Sequence, residues 1–209
     1  IFPSGPLFKF LSLADGLSPP WKDRFAQLLR GEAYLPSPLQ FNDPFDCVIP
    51  IVLPATMEAF NARKGEFFQR LERAMPEVPP TEIRAVDDSI QRMGLDHLHA
   101  MTLKSFEHGS AKMGAFCLTE SIKNVLMWSH YADHHRGIAL RFSFPPTMQD
   151  GLLPLFRVRY QDERPSLNAY FGGGDNSVEI MDALCTKAKD WDYEREWRFL
   201  EPDGAGKTI

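Results

Sequence analysis

Short apolar stretches and amphipathic helical stretches alternate along the chain. Leu7-Phe-Lys-Phe-Leu11 reads as a first strand. From Trp21 to Arg30, Trp21, Phe25, Leu28 and Leu29 recur at helical spacing, and Gly31 stops the run. Glu32-Ala-Tyr-Leu35 reads as a short strand cut off by Pro36 and Pro38. Residues 57–108 differ: Met57, Phe60, Phe67, Leu71 and Met75 mark one amphipathic helix. Ile83, Val86, Ile90 and Met93 mark a second, capped by Thr81, and Leu98, Met101 and Phe106 mark a third. Strand patterns return at 114–118, 138–144 and 152–160. A helix is expected over 178–189 and a strand in the second half of Trp191–Leu200. Between the strands, Asn124 or Ser121 caps a helix with Val125, Trp128 and Ala132 on one face. Gly137 ends it by taking the left-handed conformation.

Strands broken by helices, without regular βαβ alternation, predict an α+β fold with a mixed, mainly antiparallel sheet. The expected organisation is a single domain over 1–209, with 57–108 as a helical insertion or cap. The 209 residues, 44% hydrophobic, suffice for one sizeable core. A formal net charge of -5 argues against a generally basic nucleic-acid or membrane surface. No apolar run approaches the length of a membrane span and no signal-peptide pattern opens the chain, so a cytoplasmic protein is expected. Cys47, Cys117 and Cys185 are odd in number and widely spaced, which fits free thiols in a reducing compartment.

Several blocks carry candidate chemistry. Phe41-Asn-Asp-Pro-Phe-Asp46 offers Asn42, Asp43 and Asp46 for a cation or a ribose hydroxyl, or for an Asx-Pro turn that satisfies its own backbone. His130 and His134 stand four apart, as zinc ligands on a helix would. Tyr131, however, follows His130 where a zinc protease needs a Glu. His97, His99 and His108 lack ligand spacing, and Cys117, at the end of an apolar run, reads as a buried thiol. Gly204-Ala-Gly-Lys-Thr208 lacks both the first glycine and the following helix of a phosphate loop. In Trp191–Phe199, Glu194 and Glu196 point to one face if both lie on a strand. Burying the pair then requires a cation such as Arg198 or Lys9.

Leu7-Phe-Lys-Phe10, Tyr34-Leu-Pro-Ser-Pro-Leu-Gln-Phe-Asn-Asp-Pro-Phe-Asp46 and Phe116-Cys-Leu-Thr-Glu120 resemble a bacterial family of unknown function, domain of unknown function 2971. So do Met127-Trp-Ser-His-Tyr-Ala-Asp-His-His-Arg-Gly137, Val158-Arg-Tyr160 and Lys189–Arg198, apart from His134, where a small polar residue is usual. A late Glu-x-Glu strand, following a segment with Tyr34 and Ser37, is also similar to the layout of ADP-ribosyltransferases, which cleave the nicotinamide–ribose bond of NAD.

That resemblance implies Glu196 as the catalytic carboxylate and Glu194 as the group that orients the acceptor. It also implies Tyr34 or Tyr131 against nicotinamide, and Ser37 supporting the glutamate. Lys9 stands where the transferases carry Arg or His. His130, Asn42, Asp43 and Arg198 complete the set expected around a nucleotide or other small ligand, with NAD as substrate, no metal and no membrane partner. A macromolecular acceptor or plain NAD hydrolysis both fit. Two other readings stand beside it. One is a metal-dependent nuclease or phosphodiesterase, with Asp43, Asp46, His130 and Glu194 or Glu196 around a divalent ion. The other is a non-catalytic ligand-binding module.

Overall fold

The computed structural model describes residues 3–13, 21–43, 45–144, 154–168 and 177–209. In chain order they form β1 (Leu7–Leu11), α1 (Trp21–Leu29), β2 (Ile51–Val52), α2 (Met57–Ala74), α3 (Pro80–Met93), α4 (Leu95–Lys112) and β3 (Gly114–Thr119). There follow α5 (Val125–Tyr131), β4 (Ile138–Phe142), β5 (Leu155–Arg157), β6 (Arg159–Gln161), β7 (Leu167–Asn168), α6 (Ser177–Leu184), β8 (Thr186–Ala188) and β9 (Glu196–Glu201). The fold is α+β and mainly antiparallel. The run Phe171-Gly-Gly-Gly-Asp175, whose glycines predict a mobile loop, lies outside the described residues.

Two compact units emerge: Ile1–Cys47 with Ser110–Glu163 and Cys185–Ile209, and Val48–Gly109 with Arg164–Leu184. The helical stretch expected at 57–108 falls in the second unit. There Phe60, Ile90 and Leu98 form a core, with Met57, Phe67 and Phe68 against it. Thr56 caps α2 through its side chain, whereas α3 starts on Pro80 rather than behind a Thr81 cap, a position where a missing N–H costs nothing. The short strands β2 and β7 pair in parallel in this unit.

The first unit is built on an antiparallel sheet of order β4-β1-β3-β9-β5. Side chains alternate across a strand, so the register separates two faces. Leu118 lies opposite Trp197 and Phe116 opposite Phe199, and this face packs with Leu7 and Leu35 into an apolar core. The other face carries Thr119 opposite Glu196 and Cys117 opposite Arg198. The pairing is uneven across the sheet. β1 holds β4 through five residue pairs and β3 holds β9 through six, yet β1 and β3 pair through Phe8 and Thr119 alone.

Two local expectations are corrected. Residues 186–189, expected to continue a helix, do not: after a turn at Cys185 residues 186–188 form β8, which pairs in parallel with β6, and Lys189 opens a 3₁₀ turn. Gly137 is not the left-handed stop of α5. That helix is capped by Asn124, whose Oδ1 accepts from Leu126 and Met127, and it ends at Tyr131. Its inward face carries Met127, Trp128, Tyr131 and Ala132, while Val125 is exposed. Asp133, His134 and His135 take the positive φ values of 47°, 51° and 69°. The glycine at 137 is required by space. A Cβ there would lie 2.2 Å from the Leu11 carbonyl oxygen and 2.8 Å from the Ala132 Cα.

Gly137→Ala should therefore destabilise the first unit by about 1–3 kcal/mol, as overpacking against fixed backbone does. Urea denaturation checks this: a midpoint equal to wild type would refute the steric account.

Candidate functional site

A cavity of about 390 Å³ lies within the first unit. Consecutive residues line it on both strands, Phe8 to Ser12 on one side and Ala115 to Thr119 on the other. Neighbouring residues of a strand point to opposite faces, so lining by every residue means that the space opens along the strand edges. The cleft is the gap left where β1 and β3 part beyond Phe8 and Thr119. Lys9 bridges it, its Nζ donating to the Cys117 carbonyl at 3.0 Å and lying 4.8 Å from the Phe116 ring centre.

Beside this cleft lies a buried ionic network. Arg198 is fully buried, and its Nε and Nη2 reach the two oxygens of Glu196 at 2.8 and 2.9 Å. Nη2 also donates to Asp46 at 2.6 Å and Nη1 to the Cys47 Sγ at 3.0 Å, while the guanidinium lies 5.4 Å from the Phe41 ring centre. Lys187 donates to Glu194 at 2.7 Å and lies 3.4 Å from Asp46 and 3.8 Å from Glu196, with its Nζ 4.5 Å from the Trp191 ring centre. On the other oxygen of Glu194, Tyr131 donates its hydroxyl at 2.5 Å. Asn42 Nδ2 in turn donates to that hydroxyl at 3.4 Å.

Glu194 does not lie on the strand. It ends a 3₁₀ turn over Lys189–Glu194, and Arg195 (φ 46°) takes a left-handed conformation before β9 begins at Glu196. Thr119 Oγ1 donates to the Glu194 carbonyl, and the Glu120 N–H to that of Arg195, tying this kink to the end of β3. The two carboxylates converge through that kink, around Lys187, rather than by strand alternation. Tyr160 adds a hydroxyl that accepts from the Glu196 N–H at 2.8 Å.

The two glutamates are held in opposite ways. Burial pushes the Glu196 carboxyl up, but the Arg198 guanidinium outweighs it, with help from Lys187, and the pKa falls to about 2 from 4.5. Burial raises that of Glu194, the charge of Glu196 adds to this, and Lys187 and Tyr131 offset only part of it. Burial alone would lower Lys187, yet Glu196, Glu194 and Asp46 together raise it. Charge counting agrees with the direction: the three carboxylates of Asp46, Glu194 and Glu196 meet the two cations Lys187 and Arg198, which leaves one negative charge in surplus when all are ionised. Burial also pushes up the Tyr131 hydroxyl and the Cys47 and Cys117 thiols, which keeps them protonated.

Of the residues singled out in the sequence, Lys9, Tyr34, Asn42, His130, Tyr131, Glu194 and Glu196 line the cleft. Arg198 lies behind Glu196 as its counter-ion. Ser37 does not support a glutamate: its Oγ caps the 3₁₀ turn at Pro38 by accepting from Leu39, and it donates to the Ser110 carbonyl. Asp43 makes the Asx turn, accepting from Phe45 at 2.9 Å. His130 and His134 share no helical face, because the helix stops between them. Among the described residues, no group of three or more His, Cys, Asp or Glu side chains is placed to hold a metal ion. Of the carboxylates of the nuclease reading, Asp46, Glu194 and Glu196 are engaged by Lys187 and Arg198.

The residue that sequence reasoning missed is Lys187. Nothing in Thr186-Lys-Ala188 marks it, since its partners come from residues 46, 194 and 196.

Residues 127–199 match the family described as protein of unknown function, DUF2971. No curated protein and no solved structure matches the chain. The stretch similar to DUF2971 carries His130, Tyr131, Lys187, Glu194, Glu196 and Arg198. Lys9, Tyr34, Asn42 and Asp46 come from outside it. No helix among the described residues is long and apolar enough to cross a membrane.

The opposite shifts give opposite expectations. Glu196 is depressed on folding, so its contribution is present above about pH 4.5 and lost as pH falls towards 2. Glu196→Gln should cost roughly 3 kcal/mol at pH 7, a difference that shrinks below pH 4.5. Glu194 is raised, so its charge opposes folding as pH rises through its folded value. Glu194→Gln removes that charge but keeps only one of the two acceptor oxygens, so gain and loss oppose each other and stability at pH 7 should stay close to wild type. Urea titrations of both variants at pH 7 and pH 3 test the pair. Equal losses at pH 7 would contradict the assignment.

Proposed function

We propose that this chain is an enzyme that uses NAD as a substrate, in the manner of ADP-ribosyltransferases, releasing nicotinamide and passing ADP-ribose to an acceptor or to water. The observation that carries the reading is that Glu194 and Glu196 meet on one cleft with their protonation pushed apart by their surroundings. Carboxylates so divided take different roles: one stays an anion, the other exchanges a proton.

Cleavage of the nicotinamide–ribose bond sends the bonding electrons to the departing ring and leaves positive charge on the ribose. Glu196, ionised and held in place by Arg198, supplies fixed negative charge where such a cation develops. Preorganised charge in a buried site favours a transition state more than it would in water. Glu194, with its raised pKa, suits acceptance of the proton that the incoming acceptor must lose. Phe8, Phe10, Tyr34, Phe116 and Tyr131 give the cleft the aromatic lining suited to a planar ring, and Lys9 gives it a cation for a phosphate.

Incubation of the protein with NAD, with nicotinamide release followed by chromatography, tests the reading. Wild type should release nicotinamide, and Glu194→Gln should lose about 10²-fold or more while keeping its thermal melt. NAD binding without release would mark a ligand-binding module instead. Absence of both binding and release would remove the proposal.

A further inference from the structure

The proposed reading leaves the acceptor open, and the surroundings of Glu194 narrow it. Both oxygens of this carboxylate already hold a donor, Oε1 the Tyr131 hydroxyl at 2.5 Å and Oε2 the Lys187 ammonium at 2.7 Å. A guanidinium acceptor asks for two parallel hydrogen bonds onto one carboxylate. It would here share both oxygens with an ammonium and a hydroxyl, and lie beside the positive charge of Lys187. Glu196 offers no substitute, because Arg198 takes both of its oxygens.

Access points the same way. The Glu194 side chain is 3% exposed and that of Glu196 8%, so a side chain on a macromolecule must reach carboxylates that are almost closed off. A water molecule needs only the space of about one probe sphere and two or more polar partners, which the carboxylate and hydroxyl groups beside the cleft can supply.

Resting on the NAD reading, we infer that the acceptor is water, and that the cleft is a hydrolytic site in which Glu194 takes the proton. The C1′–N bond to nicotinamide breaks with its electron pair leaving on the ring, which becomes neutral. The water oxygen forms the new bond to C1′, and one of its protons passes to Glu194 Oε1 or Oε2 and then to solvent. NAD and water give nicotinamide, ADP-ribose and a proton, with no oxidant or reductant required. Tyr131 and Lys187 act as positioning residues that hold the carboxylate against rotation.

The test is product analysis by mass spectrometry of the intact protein with NAD in heavy-oxygen water, with and without agmatine as a guanidinium probe. The expected result is free ADP-ribose carrying one heavy oxygen, in equal yield with agmatine present, and no mass added to the protein. Tyr131→Phe should keep the same product and shift the pH profile of nicotinamide release, because it removes a hydrogen bond to Glu194 without changing the fold. ADP-ribosylated agmatine or a modified protein as the main product overturns the water assignment while leaving NAD use intact. No nicotinamide under any condition overturns the NAD reading on which the assignment rests.

Discussion

The first unit depends on how Arg198 is buried. A guanidinium with no exposed surface is tolerable only if its charge and donors are met, and Glu196, Asp46 and the Cys47 thiol meet them from two remote parts of the chain. The Asp46 N–H bonds back to the Asp43 carbonyl as Asp46 reaches the cation, and Cys47 follows at φ 57°. That backbone conformation costs a non-glycine residue of order 1 kcal/mol or more and persists only where its surroundings impose it. Here the imposition is visible: the turn brings a carboxylate and a sulfur to one guanidinium. Lys187 then couples the pair to Glu194, and through Tyr131 and Asn42 the network reaches the cleft.

The two faces of the same sheet thus do different work. Trp197, Leu118, Phe116 and Leu7 give a core that holds the strands together by apolar burial. One residue further along β9, the side chain points the other way into a network whose charge is unbalanced by one. A surplus carboxylate in a buried cluster weakens folding at neutral pH, and such groups recur where chemistry needs them.

Much of this is legible in the sequence, and the limits have physical causes. The strand patterns around Leu7, Phe116, Ile138 and Glu196 carry strong apolar spacing, and the structure has strands there. Tyr34, Asn42, His130, Tyr131, Glu194 and Glu196 stand out as polar groups amid aromatics, and all six line the cleft. The need for a cation beside the glutamates follows from repulsion alone, and Arg198 answers it. Lys187 does not show, because helical periodicity from Val178 onwards hides β8, whose pairing with β6 is a tertiary matter. For Ser37 and Gly137, resemblance and local propensity point to roles that the fold does not give them. Their true constraints, a capping bond tied to a distant carbonyl and a carbonyl 2.2 Å from where a Cβ would stand, involve segments far apart in sequence.

The single residue pair between β1 and β3 has a mechanical consequence. Each strand is locked to its outer neighbour, β1 to β4 and β3 to β9, so neither bends easily by itself. Any widening of the cleft must then turn two stiff double strands about the Phe8–Thr119 pair, as the blades of shears turn on a rivet. Thr119 is that rivet, and its hydroxyl is bonded to the carbonyl of Glu194. The angle between the blades and the position of Glu194 are tied to the same residue.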